Sequence, residues 1–219
     1  MTEGAIVRID GKSLAPSSFG PSILPVAKRG IAWMRLSIGM LALSVLAGCS
    51  GAASTNLTMS TYGYAFPPPA FNEFCRLEPG LCASTSGERI TALTPEKREE
   101  LERVNASVNR RIAQRDDGPD GNRSDRWQSA LTAGDCEDLA IRKKSELLAL
   151  GWSPSSLLLT VARMPRTGTG HTVLTVRTSE GDLILDSLDN RVRPWSRTRY
   201  DYFARQSQDT HGKWEQIRS

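Results

Sequence analysis

The stretch GDCEDLAIRKKSELLALGW, from Gly134 to Trp152, decides the plan of the fold because it predicts a helix that begins at a cysteine. The pattern indicates a helix from about Asp135 to Leu150, with Gly151 as its stop. The residues expected to face inward are Leu139, Ala140, Leu147 and Leu148, and those expected to stay in solvent are Arg142, Lys143 and Lys144. Cys136 therefore lies in the first turn of a helix that packs on one face.

Three acids surround this cysteine: Asp135 precedes it, and Glu137 and Asp138 follow it. Carboxylates disfavour a neighbouring thiolate, which is the reactive form of cysteine. The positive end of a helix dipole favours the thiolate, and the unpaired N–H groups of a helix start can stabilise an oxyanion. Acids at a helix start also stabilise the helix with no further role. Two interpretations of the acids therefore stay open: they affect the reactivity of Cys136, or they only stabilise the start of the helix.

Further along the chain, four stretches predict strands: SSLLLTVARM, HTVLTVRT, DLILDSL and, as an edge strand, NRVRPW. Upstream, the segment from Thr94 to Gln114 predicts another helix, with Thr94 as N-cap and Pro95 in the first helical position. Its apolar stripe consists of Leu101, Val104, Val108 and Ile112. Because helices come first and an antiparallel meander follows, the order predicts an α+β fold.

A cysteine nucleophile needs a base and a group that orients the base. The chain has two histidines, and one of them, His171, opens a predicted strand. Asp186 lies on the next strand; a turn centred on Glu180 and Gly181 would pair it with Thr175, four residues from His171. Cys136, His171 and Asp186 are therefore a candidate triad. A buried structural cysteine, a structural histidine and a turn-capping aspartate are the alternative.

The N-terminus predicts export. The apolar run LSIGMLALSVLA is too short to span a bilayer, which needs about 20 residues, but it suits a signal peptide. The run ends in LAGC, so we expect residues 1–48 to be an N-terminal extension with a lipoprotein-type signal peptide, and Cys49 to be lipidated. An ordinary signal peptide or a short membrane anchor is the alternative. Residues 49–70 are small, polar and proline-rich and predict a flexible tether to a domain at 71–219.

The segment from Met1 to Trp33 carries Asp10, Pro16, Pro21 and Pro25 and has no clear periodicity, whereas an ordinary signal peptide would start nearer the apolar run. We therefore expect translation to start downstream of Met1.

The other cysteines bear on the redox state. Cys75 and Cys82 flank a Pro-Gly turn, and a local disulfide between them is expected in an exported protein, with two free thiols as the alternative. Cys136 is then left unpaired.

The charge balance argues against nucleic acid as a partner. The chain has 28 Lys and Arg against 24 Asp and Glu, but residues 1–48 hold five of the bases and two of the acids. The remainder is nearly neutral and lacks the basic character of a nucleic-acid-binding domain.

The blocks GDCEDLAIRKKSELLALGW and GHTVLTVRTSEGDLILDSLDNRVRPW together resemble the bacterial transglutaminase-like cysteine proteinases, whose best-understood members are LapG-type periplasmic proteases. The resemblance covers about Phe71 to Trp214. It implies a papain-like, transglutaminase-like fold in which N-terminal helices pack on an antiparallel sheet. By resemblance, Cys136 is the nucleophile, His171 the base and Asp186 its orienter.

The resemblance also implies partners and a metal. Family members cleave large surface adhesins and release cells from biofilms, and an inner-membrane cyclic-di-GMP receptor can sequester them. They bind calcium through acids beside the nucleophile, here Asp135 and Glu137, with Asp138 a weaker candidate. Trp127 matches a family tryptophan that lines the substrate cleft or packs in the core. The lipobox departs from the soluble periplasmic members.

These features favour an envelope-anchored cysteine endopeptidase that acts on a cell-surface or periplasmic protein. A transglutaminase or amidase is the enzymatic rival because the same thioester can be resolved by an amine. A non-catalytic, calcium-dependent binding module is the alternative if the protein is not an enzyme.

Overall fold

The computed structural model describes residues 57–115 and 126–218, which form an antiparallel sheet with helices packed against it. The N-terminal extension, the signal peptide and the lipidation site at Cys49 lie outside these residues. Within the described ranges, no helix combines the length and apolar character needed to cross a membrane.

The helices are α1 (Phe71–Leu77), α2 (Pro79–Cys82), α3 (Pro95–Arg111) and α4 (Cys136–Ala149). The strands are β1 (Thr61–Ala65), β2 (Ala113–Gln114), β3 (Ala133–Gly134), β4 (Leu157–Arg163), β5 (Gly170–Thr178), β6 (Gly181–Leu185), β7 (Arg193–Pro194), β8 (Asp201–Gln206) and β9 (Trp214–Ile217). Seven of the strands form one sheet in the order β1-β9-β8-β4-β5-β6-β7, with every neighbouring pair antiparallel. The short β2 and β3 pair in parallel. The predicted α+β class is confirmed.

Helix α3 begins where its cap predicts. The Thr94 hydroxyl accepts a hydrogen bond from the Lys97 N–H at 3.3 Å, and Pro95 occupies the first helical position, where its missing N–H costs nothing. The predicted stripe of Leu101, Val104, Val108 and Ile112 is buried. This helix therefore packs its apolar stripe in the core as expected.

Helix α4 starts at Cys136 and ends at Ala149; Gly151 follows the cap residue Leu150, and its φ of +83° suits a glycine just past a helix C-terminus. The prediction that Lys143 and Lys144 stay in solvent is wrong, because both side chains are fully buried. Lys144 Nζ donates to the Ala83 carbonyl at 2.7 Å and to Gln206 Oε1 at 3.2 Å. Elements on both sides, the end of α2 and strand β8, thus cover a face that an amphipathic helix would leave exposed.

The hairpin between β5 and β6 differs in register from the prediction. Thr178 pairs with Gly181, so the turn is centred one residue earlier than expected. The pairing of Asp186 with Thr175 is therefore wrong: Thr175 faces Ile184, and Leu174 faces Leu185. The shift brings Asp186 closer along the strands to His171, within the reach of a diagonal cross-strand pair.

The folded unit begins before residue 71. Strand β1, which we assigned to the tether, pairs with β9, with Thr61 opposite Ile217. The ordered chain therefore includes residues predicted to be flexible, because β1 pairs with β9 near the C-terminus.

The disulfide between Cys75 and Cys82 is present, with Cα atoms 5.0 Å apart, and joins α1 to α2. Next to it lies a group of edge-to-face and tilted aromatic rings made of Phe71, Phe74, Trp127 and Trp214, with centroids 5.1 to 6.3 Å apart. These contacts anchor the short N-terminal helices to the sheet.

Candidate active site

Cys136 lies at the junction between α4 and strand β5. Its side chain is half-buried, and it is the free cysteine of the described residues. The Thr172 N–H donates to Cys136 Sγ at 3.3 Å, and the thiol donates to Glu137 Oε2 at 3.2 Å. The sulfur is thus held against the residue that follows His171.

Gly134 explains part of the local sequence GDCED. A side chain there would meet the Asp138 carboxylate at 2.6 Å, so only glycine allows Asp138 to approach the chain before the helix. Asp138 Oδ1 accepts a hydrogen bond from the Gln128 N–H at 2.9 Å. Asp138 therefore ties the segment that carries Trp127 to the first turn of α4.

His171 and Asp186 are brought together as a buried pair. His171 Nε2 donates to Asp186 Oδ1 at 2.8 Å, with both residues about 5% exposed. This bond occupies Nε2, which leaves Nδ1 as the ring nitrogen for other chemistry. The same Asp186 oxygen also accepts the Leu188 N–H at 3.0 Å.

Tyr200 is a member of the site that the sequence did not reveal. Its hydroxyl donates to Asp186 Oδ2 at 2.5 Å, and its ring lies 5.1 Å from the His171 ring. Burial and the Asp186 charge raise the pKa of Tyr200, which keeps the hydroxyl a donor. The sequence gives no indication of this role, because Tyr200 lies in a segment without helical or strand periodicity.

Electrostatics differ sharply between the two ends of the site. The largest effect that raises the pKa of the Cys136 thiol is burial, and the negative charge of Glu137 is the second. Burial opposes ionisation of Asp186, but the hydrogen bond and charge of His171, together with hydrogen bonds from the Leu188 N–H and Tyr200, outweigh it and lower the pKa of that carboxyl. Asp186 is therefore ionised, while Cys136 stays a protonated thiol until a base takes its proton.

Cys136 and His171 share one cleft of about 460 Å³. Its floor is formed by Val161 and Ala162 of β4 and by the start of β5, and its other lining residues are Phe66, Pro67, Pro68, Pro69, Trp127, Glu137, Gly170, Thr172 and Phe203. Trp127 is both a cleft residue and a core residue, because its buried ring also contacts the aromatic group of Phe71. The cleft is open enough and apolar enough to accept an extended peptide segment.

The candidate calcium ligands lie together at the start of α4. Asp135 is the N-cap residue but makes no side-chain capping hydrogen bond, while Glu137 and Asp138 are buried in the first turn. Across 57–115 and 126–218, no group of three or more His, Cys, Asp or Glu side chains is arranged as a metal site. Asp138 Oδ1 accepts the Gln128 N–H and Glu137 Oε2 accepts the Cys136 thiol, so both acids of the first turn have hydrogen-bond partners.

A free thiol at a helix start, in one cleft with an imidazole that a carboxylate holds, is the arrangement used by papain-like enzymes. The fold and the site thus define the class of the protein as a cysteine peptidase. A comparison with protein families gives the particular group. The chain belongs to the bacterial transglutaminase-like cysteine proteinases, because the model of that family matches residues 61–219.

Three solved structures of LapG from Legionella pneumophila are similar to this chain. The calcium-bound form is 26% identical, with 68% of this chain and 81% of that chain covered and a TM-score of 0.48. A second structure is 28% identical, covering 67% and 76%, with a TM-score of 0.47. The EGTA-treated form is 28% identical, covering 67% and 75%, with a TM-score of 0.47. No curated protein matches the sequence at a significant level.

Proposed function

We propose that the protein is an envelope-anchored cysteine endopeptidase in which Cys136 is the nucleophile, His171 the base and Asp186 the orienter. The observation that carries the proposal is the buried 2.8 Å hydrogen bond between His171 and Asp186, beside a cleft that His171 shares with Cys136. Membership of a cysteine proteinase family supports the same chemistry.

In this mechanism His171 Nδ1 takes the thiol proton because Nε2 is held by Asp186. This transfer is required, since burial and Glu137 raise the pKa of Cys136. The thiolate attacks the peptide carbonyl, and N–H groups at the start of α4 stabilise the oxyanion. His171 then protonates the leaving amine, and water attacks the thioester to release the acid and restore the thiol.

We place the enzyme at the periplasmic face of the envelope, tethered through a lipid on Cys49. A tether suits a protein substrate at the same surface, and the resemblance to LapG-type proteases makes a large adhesin in biofilm control the proposed substrate. An inner-membrane cyclic-di-GMP receptor is the proposed regulator on the same ground.

Envelope proteomics tests this function. Cells that make the wild-type protein are compared with cells that make Cys136→Ala, which removes the nucleophilic thiol. We expect new N-termini on one or a few envelope proteins in the wild type alone. Identical N-termini in both strains would contradict the proposal, and amine-linked products in place of new N-termini would identify a transglutaminase.

We also propose that calcium binds through Asp135 and Glu137. Carboxylates are the hard oxygen ligands that calcium takes, and backbone carbonyls and water complete its flexible coordination. Asp138, whose Oδ1 accepts the Gln128 N–H, is the weaker candidate ligand. Bound calcium would supply positive charge beside the nucleophile.

Calcium binding is measured by isothermal titration and by the melting temperature with calcium, magnesium or EGTA. We expect calcium to raise the melting temperature, because a ligand that binds the folded state stabilises it. Asp135→Asn and Glu137→Gln should abolish the effect, while Glu102→Gln, an exposed acid on α3, should retain it. Equal melting temperatures with calcium and with EGTA would exclude the site.

A further inference from the structure

A second cavity, separate from the Cys136 cleft, is rich in arginine. Four arginines occur within residues 191–199, and no acid lies among them. All four, Arg191, Arg193, Arg197 and Arg199, line a cavity of about 430 Å³ together with Ile184, Asp186, Leu188, Asp189, Thr198 and Tyr200. Because the chain after residue 48 is nearly neutral, this is a local concentration of positive charge.

The carboxylates of the arginine cavity are already engaged. Asp189 accepts from Arg191 at 3.1 Å and from Arg193 at 2.6 Å, and Asp186 is bonded by His171 and Tyr200. Arg197 and Arg199 are exposed and form no ion pair within the part of the chain that the structure describes. The arginine cavity therefore presents net positive charge to solvent.

The two exposed arginines stand on a fixed support. They flank Thr198, whose hydroxyl bonds the Trp195 carbonyl at 2.7 Å and the Tyr202 hydroxyl at 2.8 Å. The residues before them, Arg193 and Pro194, pair with β6 as the edge strand β7. Because the backbone here is already ordered, only the side-chain rotamers of these two arginines have to be ordered when they bind a carboxylate.

We infer that the arginine cavity binds an acidic segment of the protein substrate, as a docking site apart from the Cys136 cleft. This inference rests on the proposed function, which supplies a protein substrate. Arginine pairs with carboxylates through two parallel hydrogen bonds, and the half-exposed Leu188 adds an apolar wall that a peptide side chain can contact. The cavity adjoins the far side of Asp186, so a docked segment would leave the Cys136 cleft free for the scissile bond.

A labelled oligoglutamate peptide tests the inference by fluorescence anisotropy on the full chain, with an oligolysine peptide for comparison. We expect oligoglutamate alone to bind, and the affinity to fall as ionic strength rises. The variant R197A/R199A should weaken binding about tenfold, the order expected for the loss of two ion pairs. The control R103A/R166A removes two exposed arginines outside the cavity and should bind as the wild type does.

Three results would overturn the inference. The first is no binding of oligoglutamate, which would indicate that the arginines serve only to prevent another chain from pairing with the exposed edge of β7. The second is equal loss of binding in both double variants, which would show nonspecific charge attraction. The third is displacement by inorganic phosphate at constant ionic strength, which would make the cavity a phosphate site. The Cys136 alkylation rate should be the same in R197A/R199A and wild type, so failure of docking is distinct from failure of the peptidase chemistry.

Discussion

At the residue scale, the orientation of Asp186 depends on three donors. Asp186 Oδ1 accepts hydrogen bonds from His171 and from the Leu188 N–H, and Oδ2 accepts one from the Tyr200 hydroxyl. A carboxylate bonded on both oxygens cannot rotate without breaking a bond. Tyr200 is thus a positioning residue that acts on His171 through Asp186.

Tyr200→Phe removes this hydroxyl and leaves the ring beside His171. We expect the rate of Cys136 alkylation by iodoacetamide to fall about tenfold, as for loss of one charge-assisted hydrogen bond. The matched control is Tyr202→Phe, whose hydroxyl bonds Thr198 rather than Asp186. Equal rates in the two variants would show that Tyr200 has no role in positioning.

The candidate site was predictable where a residue type carries chemistry in a recognisable pattern. Cys136 begins a helix, and His171 and Asp186 lie on adjacent predicted strands, so all three could be named. Tyr200 could not, because it lies in an irregular loop whose path depends on tertiary contacts. The distance between His171 and Asp186 depends on the register of the β5–β6 hairpin, and residue propensities do not fix the position of its turn to within one residue.

At the element scale, α4 shows the limit of an amphipathic pattern. Lysine is seldom fully buried, so Lys143 and Lys144 were assigned to solvent. Both are covered, and burial lowers the pKa of each to about 7. Lys144 has two hydrogen-bond acceptors, whereas Lys143 Nζ has no hydrogen-bond partner within the described residues.

The two adjacent lysines should therefore respond differently to the same change. Lys144→Met leaves the Ala83 carbonyl without its donor and should lower the free energy of unfolding by about 1–3 kcal/mol. Lys143→Met replaces an amine that lacks a hydrogen bond with an apolar chain of similar length and should leave stability unchanged or raise it. Urea unfolding checks both variants, and a larger loss for Lys143→Met than for Lys144→Met would refute this account of the helix.

At the scale of the whole molecule, the elements with a clear local signal were predictable, including the edge strand β7, whereas strands β1, β8 and β9 were not. Helices α3 and α4 and strands β4 to β6 have clear caps, turns or apolar runs. Strand β1 is short and becomes a strand by pairing with β9, which lies more than 100 residues away, while β9 is short and also pairs with β8. Pairing between distant segments leaves little trace in local sequence, so the domain start was placed too late.

The pH dependence of stability follows from the buried lysines and tyrosines. Between about pH 7 and about pH 10 the unfolded chain holds two lysine protons that the folded chain lacks. They outnumber the one thiol proton that folded Cys136 keeps above about pH 8.5 because burial raises its pKa, so stability should rise with pH. Above about pH 10 the unfolded chain loses tyrosine protons that Tyr200 and Tyr202 retain, because burial raises the pKa of both, so stability should fall.

Urea midpoints measured over this range check the prediction. Below about pH 8.5, where Cys136 keeps its proton in both states, Lys143→Met should remove about half of the rise, because one of two lysines no longer titrates. A curve that is flat from about pH 7 to about pH 9 would contradict the buried state of these lysines.

The most direct test of the account is the rate of iodoacetamide alkylation at Cys136, located by mass spectrometry, in the wild type and two histidine variants. His171→Ala should slow the reaction about 100-fold, since the thiol loses its base. His211→Ala, which removes the other, exposed histidine, should react as the wild type does. A rate in His171→Ala equal to that of the wild type would contradict the claim that His171 activates Cys136.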